Sequence, residues 1–193
     1  MQPSADPVVA DRPVGTEVDT ADGPWGLATA TFDPTRRYRY RLSRVWDPAG
    51  PRVCFVMCNP STADALTLDP TVRRCAGFAR RWGAGAFEVT NVFALRSTDP
   101  AALRRSPDPV GPGNDDAIVA AATSADRVVC AWGIHGALHD RHDRVLALLD
   151  RAGVSAEALR LTRSGLPGHP LYLPADAVPF ALDRTHPASD GRR

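Results

Sequence analysis

Four short stretches of this 193-residue chain carry side chains able to bind or polarise a polar ligand. The first is VCFVMCNPSTAD (53–64), where a continuous apolar run stops at Asn59, Pro60, Ser61 and Thr62, with Asp64 just beyond. Asn59 presents an amide donor and acceptor together, and Pro60 deletes a backbone donor and stiffens the exit. Such a cluster serves either as a polar turn, in which Asn59 or Ser61 caps its own backbone, or as the wall of a site. Asn91 stands inside FEVTNVFAL, where an amide is costly unless its hydrogen bonds are met. It is either a satisfied core amide or a fixed one that reads the edge of a planar heterocycle. Arg96 follows, placed to hold a phosphate or a carboxylate such as that of Asp99. Trp132 and Gly133 close VVCAWG, as a core aromatic with a turn glycine or as a stacking platform. In GLPGHPLYL, His169 lies between Gly168 and Pro170, in a loop stiff enough to fix one imidazole. Histidine there can serve as an acid or a hydrogen-bond donor near neutral pH.

A rival cluster is HGALHDRHD, which spaces His135, His139 and His142 by four and three, with Asp140 and Asp143 beside them. On one helix face that spacing suits zinc, and a metal-dependent hydrolase using His135, His139 and Asp143 is the alternative it raises. Gly136 stands where the glutamate of H-E-x-x-H belongs, so the metalloprotease motif is missing. A solvated helix face accounts for the same residues. There is no G-x-G-x-x-G, P-loop or G-x-S-x-G. The cysteines, Cys54, Cys58, Cys75 and Cys130, form no C-x-x-C pair and read as small buried hydrophobes. No cofactor or metal is expected.

The elements that must position these groups are legible from periodicity. RRYRYRLSRVW alternates strictly, with Arg37, Arg39 and Arg41 on one side and Tyr38, Tyr40 and Leu42 on the other, as in an edge strand with a solvated face. A phosphate-facing role for that arginine face is the functional alternative. RVCFVMC, AFEVTNVFAL and DRVVCAWG are too apolar to be half exposed and read as strands buried on both faces. Asp69 and Pro70 open a helix that Gly83 closes, a short helix follows Thr98 or Asp99, and Asn114 can cap a third. LHDRHDRVLALLDRAG is an amphipathic helix, and ALRLT a last short strand. Buried strands alternating with helices predict a largely parallel sheet covered on both faces, with ligands beyond the carboxyl ends of the strands. That rule gathers the four loops at one edge.

Residues 1–35 and 183–193 lack periodicity and read as flexible tails around one α/β domain spanning 36–182. All 23 cations are arginine, against 22 acids, which leaves a net charge of +1 and argues against attachment to DNA by bulk charge alone. No run is long and apolar enough to span a membrane, and the N-terminus has no secretory pattern, so a cytoplasmic location is expected.

FVMCNPSTAD, DPTVRRC, TNVFALRSTDP, DPVGPGND, VVCAWGIHG and GLPGHPLYL, in this order over residues 38–174, resemble a bacterial and phage family catalogued as domain of unknown function 1643. More distantly, the order NP, N-V-x-x-x-R, WG, HP-x-x-L is similar to the uracil-DNA glycosylase superfamily. That resemblance implies a three-layer α/β/α sandwich with a mostly parallel four-stranded central sheet, here with an extra N-terminal edge strand. It implies that Asn59, with Asp64, manages the attacking water, that Asn91 reads the base and that His169 stabilises the leaving group. Pro60, Ser61, Thr62, Arg96, Trp132, Gly133 and Pro170 fall in the matching loops, and Leu171 or Tyr172 takes the place of the wedge that fills the gap left by a flipped base. The first loop has no aromatic to stack on the base, so Phe93 or Trp132 must substitute. The last loop keeps only the opening of His-Pro-Ser-Pro-Leu. The implied function is recognition of a nucleobase in DNA, a nucleoside or a nucleotide, with excision by water attack. The alternative is binding without cleavage.

Overall fold

The structure is a computed structural model, and it describes residues 16–61 and 69–182. Eight strands and four α-helices follow one another as β1 Glu17–Ala21, β2 Leu27–Phe32, β3 Arg39–Val45, β4 Arg52–Met57, α1 Pro70–Arg81, β5 Ala86–Asn91, α2 Pro100–Arg105, α3 Asn114–Thr123, β6 Arg127–Cys130, α4 Arg141–Arg151, β7 Ala156–Ala158 and β8 Phe180–Ala181. They form one mixed sheet in the order β1-β2-β3-β5-β4-β6-β7-β8. The inner run β5-β4-β6-β7 is parallel, and the four outer pairings are antiparallel. Among the described residues no helix is long and apolar enough to cross a membrane.

β4 decides the layering, because its residues alternate between two cores. Val53, Phe55 and Met57 pack with Val72, Cys75, Phe78 and Ala79 of α1, while Cys54 and Val56 pack with Leu103 of α2, Ile118 and Ala121 of α3, and Val145 and Leu149 of α4. A strand covered on both faces reads as an unbroken apolar run. α1 starts as its sequence predicts: Asp69 accepts from the Val72 amide at 2.7 Å and Pro70 takes the first turn. Asn114 does not cap α3. Gly113 holds that place in a left-handed conformation, and the Asn114 amide turns inward to the end of β5.

Several expectations are overturned. The sheet has eight strands and mixed sense, where four mostly parallel strands with one extra edge strand were expected. Residues 17–32, read as tail, supply β1 and β2. LATATF alternates small and threonine side chains, whose weak hydrophobicity hides a strand that is almost wholly buried. β3 is consequently an inner strand, and the arginine face expected to be solvated is buried at Arg39 and Arg41. The strict alternation of β3 also fails: pairing with β2 steps from Thr31–Arg41 to Phe32–Arg39, so Tyr40 is an additional residue in a bulge. The bulge puts Arg39 on the α1 face with Phe32, and Arg41 on the opposite face. The last parallel strand lies at Ala156–Ala158 rather than over ALRLT, with Leu161 bridging to Pro167. The expected C-terminal tail, 183–193, lies outside the described residues.

On its face Arg41 grips Glu88 of β5 through Nε and Nη2, the latter at 2.8 Å. Glu88 is 0 % exposed, and Arg41 is its ion-pair partner. Arg41→Leu strands that carboxylate, and urea denaturation is expected to show a loss of about 3–5 kcal/mol; a loss below about 1 kcal/mol, the range of a surface pair, would contradict this account.

Candidate functional site

β4 connects through α1 to β5 on one side of it, whereas β6 continues to β7 on the other. Loops leaving β4 and β6 therefore diverge, and a crevice opens beyond the carboxyl ends of the parallel strands. A cavity of about 480 Å³ lies there, within the range of small-molecule sites. Asn59, Ser61, Asn91, Trp132, Gly133, His169 and Tyr172 all line it, so the four separate loops do converge.

Asn59 follows β4. Its Nδ2 donates to the carbonyls of Ser97 at 2.8 Å and Pro60 at 3.2 Å, which leaves Oδ1 to accept. Asn91 is the last residue of β5 and is 3 % exposed, yet its side chain makes no hydrogen bond with any described residue. Its backbone is firmly held: the Asn114 amide donates to the Asn91 carbonyl at 3.0 Å, and Arg141 Nε to the Val92 carbonyl at 2.7 Å. Both supporting side chains are buried. They satisfy carbonyls that leave the sheet where β5 stops pairing, and so hold the backbone from which the Asn91 side chain projects.

The Trp132–Gly133 loop is shaped by two glycines. Gly133 has φ 68° and ψ −167°, a conformation that side chains disfavour, and its amide donates to the Pro167 carbonyl at 2.8 Å. A Cβ on Gly136 would lie 2.2 Å from Cδ1 of Trp132, so the buried indole excludes any side chain there. The Gly133–Pro167 bond ties this loop to the one bearing His169. His169 Nδ1 accepts a long bond from the Leu171 amide at 3.4 Å, so the neutral ring carries its proton on Nε2. Burial holds its pKa below the ordinary histidine range, against a smaller opposing pull from the Asp69 carboxylate. At neutral pH it is an uncharged donor.

Several expected residues are not brought into the cavity. Phe93 is fully buried in the core on the α3 face, because it follows β5 on the side away from α1. Pro60 is buried beneath its loop, where its carbonyl accepts from the Ser97 amide at 2.9 Å. Arg96 donates to the Arg36 carbonyl at 3.0 Å and lies over the Phe32 ring, and Asp99 pairs instead with Arg105 at 2.7 Å. Pro170 is buried and Leu171 is exposed, both outside the lining, whereas Tyr172 stands exposed at the rim. Thr62 and Asp64 lie outside the described residues. His135 lines the cavity, but His139 and Asp140 adopt positive φ in a kink before α4. The histidines therefore share no continuous helix face, and among the described residues no three His, Cys, Asp or Glu side chains converge to hold a metal ion.

Two charged lining residues, Arg39 and Asp69, are not among the expected site residues, although a phosphate-facing role is the alternative for the arginine face. Arg39 belongs to a stripe that resembles a solvated edge, and only the bulge at Tyr40 turns it inward. Asp69 is legible as a helix cap, and its exposure to the cavity follows from where α1 begins. Its oxygens accept from the Val72 amide and, at 3.1 Å, from Ser61 Oγ. Cys58 also lines the cavity, but burial pushes its thiol up to about 12, which removes the thiolate needed for nucleophilic chemistry.

Because folded His169 binds its proton only below the unfolded value, its contribution to stability is present above about pH 6.5 and lost as pH falls through the folded value. His169→Asn keeps an acceptor for the Leu171 amide. Its melting temperature is expected to fall less than that of the wild type between about pH 8 and pH 5.5, a window spanning the usual histidine range. Parallel curves would refute a half-buried, neutral His169.

Residues 39–171 match the family described as "Protein of unknown function (DUF1643)". No curated protein and no solved structure matches the chain.

Proposed function

The chain belongs to the DUF1643 family, and we propose that it is a nucleobase-recognising protein whose cavity reads a planar base with Asn91. The observation that carries this reading is the Asn91 side chain, 3 % exposed, set on a firmly held backbone and unpaired among the described residues, lining a cavity with apolar walls at Met57, Val72, Val89 and Trp132. A buried amide without partners is costly, and a ligand edge offering a donor and an acceptor side by side removes the cost. The parallel run β5-β4-β6-β7 with helices on both faces supports reading this core as a three-layer, uracil-DNA glycosylase-like arrangement.

The same groups suit hydrolysis of an N-glycosidic bond in DNA or a nucleoside. The C1′–N bond breaks with its electron pair leaving on the base, and the neutral His169 Nε2–H donates to that developing anion. The water oxygen bonds to C1′, held by Asn59 Oδ1, and its proton passes to the Asp69 carboxylate and then to solvent. Asn59 has no titratable group, so Asp69 is the described carboxylate available for this step. That same property of Asn59 favours a second reading, in which the base is bound and not cleaved.

The test is incubation with nucleosides and with DNA carrying uracil or modified bases, with free base measured by mass spectrometry. Asn91→Ala is expected to weaken base binding by about 5- to 100-fold. His169→Ala is expected to slow release by about 100-fold or more. Asp69→Asn, which keeps the helix cap, should leave folding intact and suppress release. Binding that depends on Asn91 without any release establishes the second reading, and base release unaffected by all three substitutions rejects the site.

A further inference from the structure

The base-reading site leaves Arg39 without a task. Its side chain lines the cavity, the residue is 4 % exposed, and the guanidinium makes no hydrogen bond or ion pair with any described residue. A buried cation without a counter-charge is expensive, and this chain avoids the expense two positions away, where Arg41 has Glu88. Asp69 is close enough to favour the Arg39 charge but not within ion-pair distance. Arg44 and Arg96 lie close enough to oppose that charge, each more weakly than Asp69 favours it. The bulge at Tyr40 is independent of all this: an inserted residue re-aims Arg39 from the Arg41 face into the cavity, a use of bulges that recurs beside functional sites.

We propose that Arg39 receives a phosphate of the ligand, so that the cavity takes a nucleotide rather than a free base or nucleoside. This rests on the base-recognition reading above. The planar guanidinium fork matches two phosphate oxygens at once, and its burial strengthens the contact by excluding competing water. The phosphate belongs either to a free nucleoside monophosphate or to a phosphodiester within a strand.

Calorimetric titration of the full chain with nucleosides, the matching 5′-monophosphates and short single-stranded oligonucleotides tests it, in wild type and Arg39→Gln. The phosphate is expected to improve wild-type affinity by about 10- to 100-fold, and by no more than about two-fold in Arg39→Gln. A gain confined to monophosphates identifies a free nucleotide, and a gain with oligonucleotides identifies a strand. Arg39→Gln should melt no lower than wild type without ligand, since it removes an unpaired buried charge. Should it fail to fold, Arg39→Lys, which keeps the charge and loses the fork, is expected to lose part of the gain. Equal wild-type affinity for nucleoside and nucleotide overturns the proposal, as does a phosphate advantage that persists in the variant. If no base-bearing probe binds, the base reading fails alone. The anion site then stands if inorganic phosphate raises the melting temperature of wild type and not of Arg39→Gln, and falls if it does not.

Discussion

The constraint on which this molecule turns is the parallel pairing of β4 with both β5 and β6. Parallel neighbours cannot be joined by a tight turn, so each connection must cross a face of the sheet. α1 makes the crossing from β4 to β5 on one face, and the α2–α3 segment leads from β5 to β6 on the other. Exits from β4 and β6 are thereby driven apart, and the gap between them is the cavity. Asn59 and Gly133, which belong to those two exits, both line it.

A gap at strand ends is also where backbone carbonyls lose their partners. The protein meets that demand at β5 with Asn114 and Arg141, two buried polar side chains that bond the Asn91 and Val92 carbonyls. An amide placed at such an end inherits the rigidity of its support. Asn91, unpaired at its side chain, lines the cavity, whereas Asn114 spends its Nδ2 on two backbone carbonyls.

The same contrast marks how far the sequence can be read. The buried strands, the cap at Asp69 and the meeting of the four loops are visible as apolar runs and turn chemistry, because each is a local pattern. β1 and β2 are not, since Ala28, Ala30, Thr29 and Thr31 owe their burial to neighbours distant in sequence and not to their own hydrophobicity. Asn114 reads as a cap from its position, yet tertiary carbonyls outcompete the helix end for its amide. Phe93 sits two residues beyond Asn91 in a run of residues buried throughout, and no local periodicity distinguishes the one that faces the cavity from the one that faces α3.

The N-terminal strands bear on the chemistry as well as on the fold. Were β3 an edge, its arginines would be hydrated and their electrostatic reach damped by water. Pairing with β2 makes β3 an inner strand and withdraws Arg39 from bulk solvent, which leaves the cavity as the side from which a counter-charge can arrive. β2 does this and also sets the bulge, through the step in register between Thr31 and Phe32. A single antiparallel strand thus supplies both the low dielectric and the direction. That is a physical reason for these strands to be part of the site and not an ornament beside it.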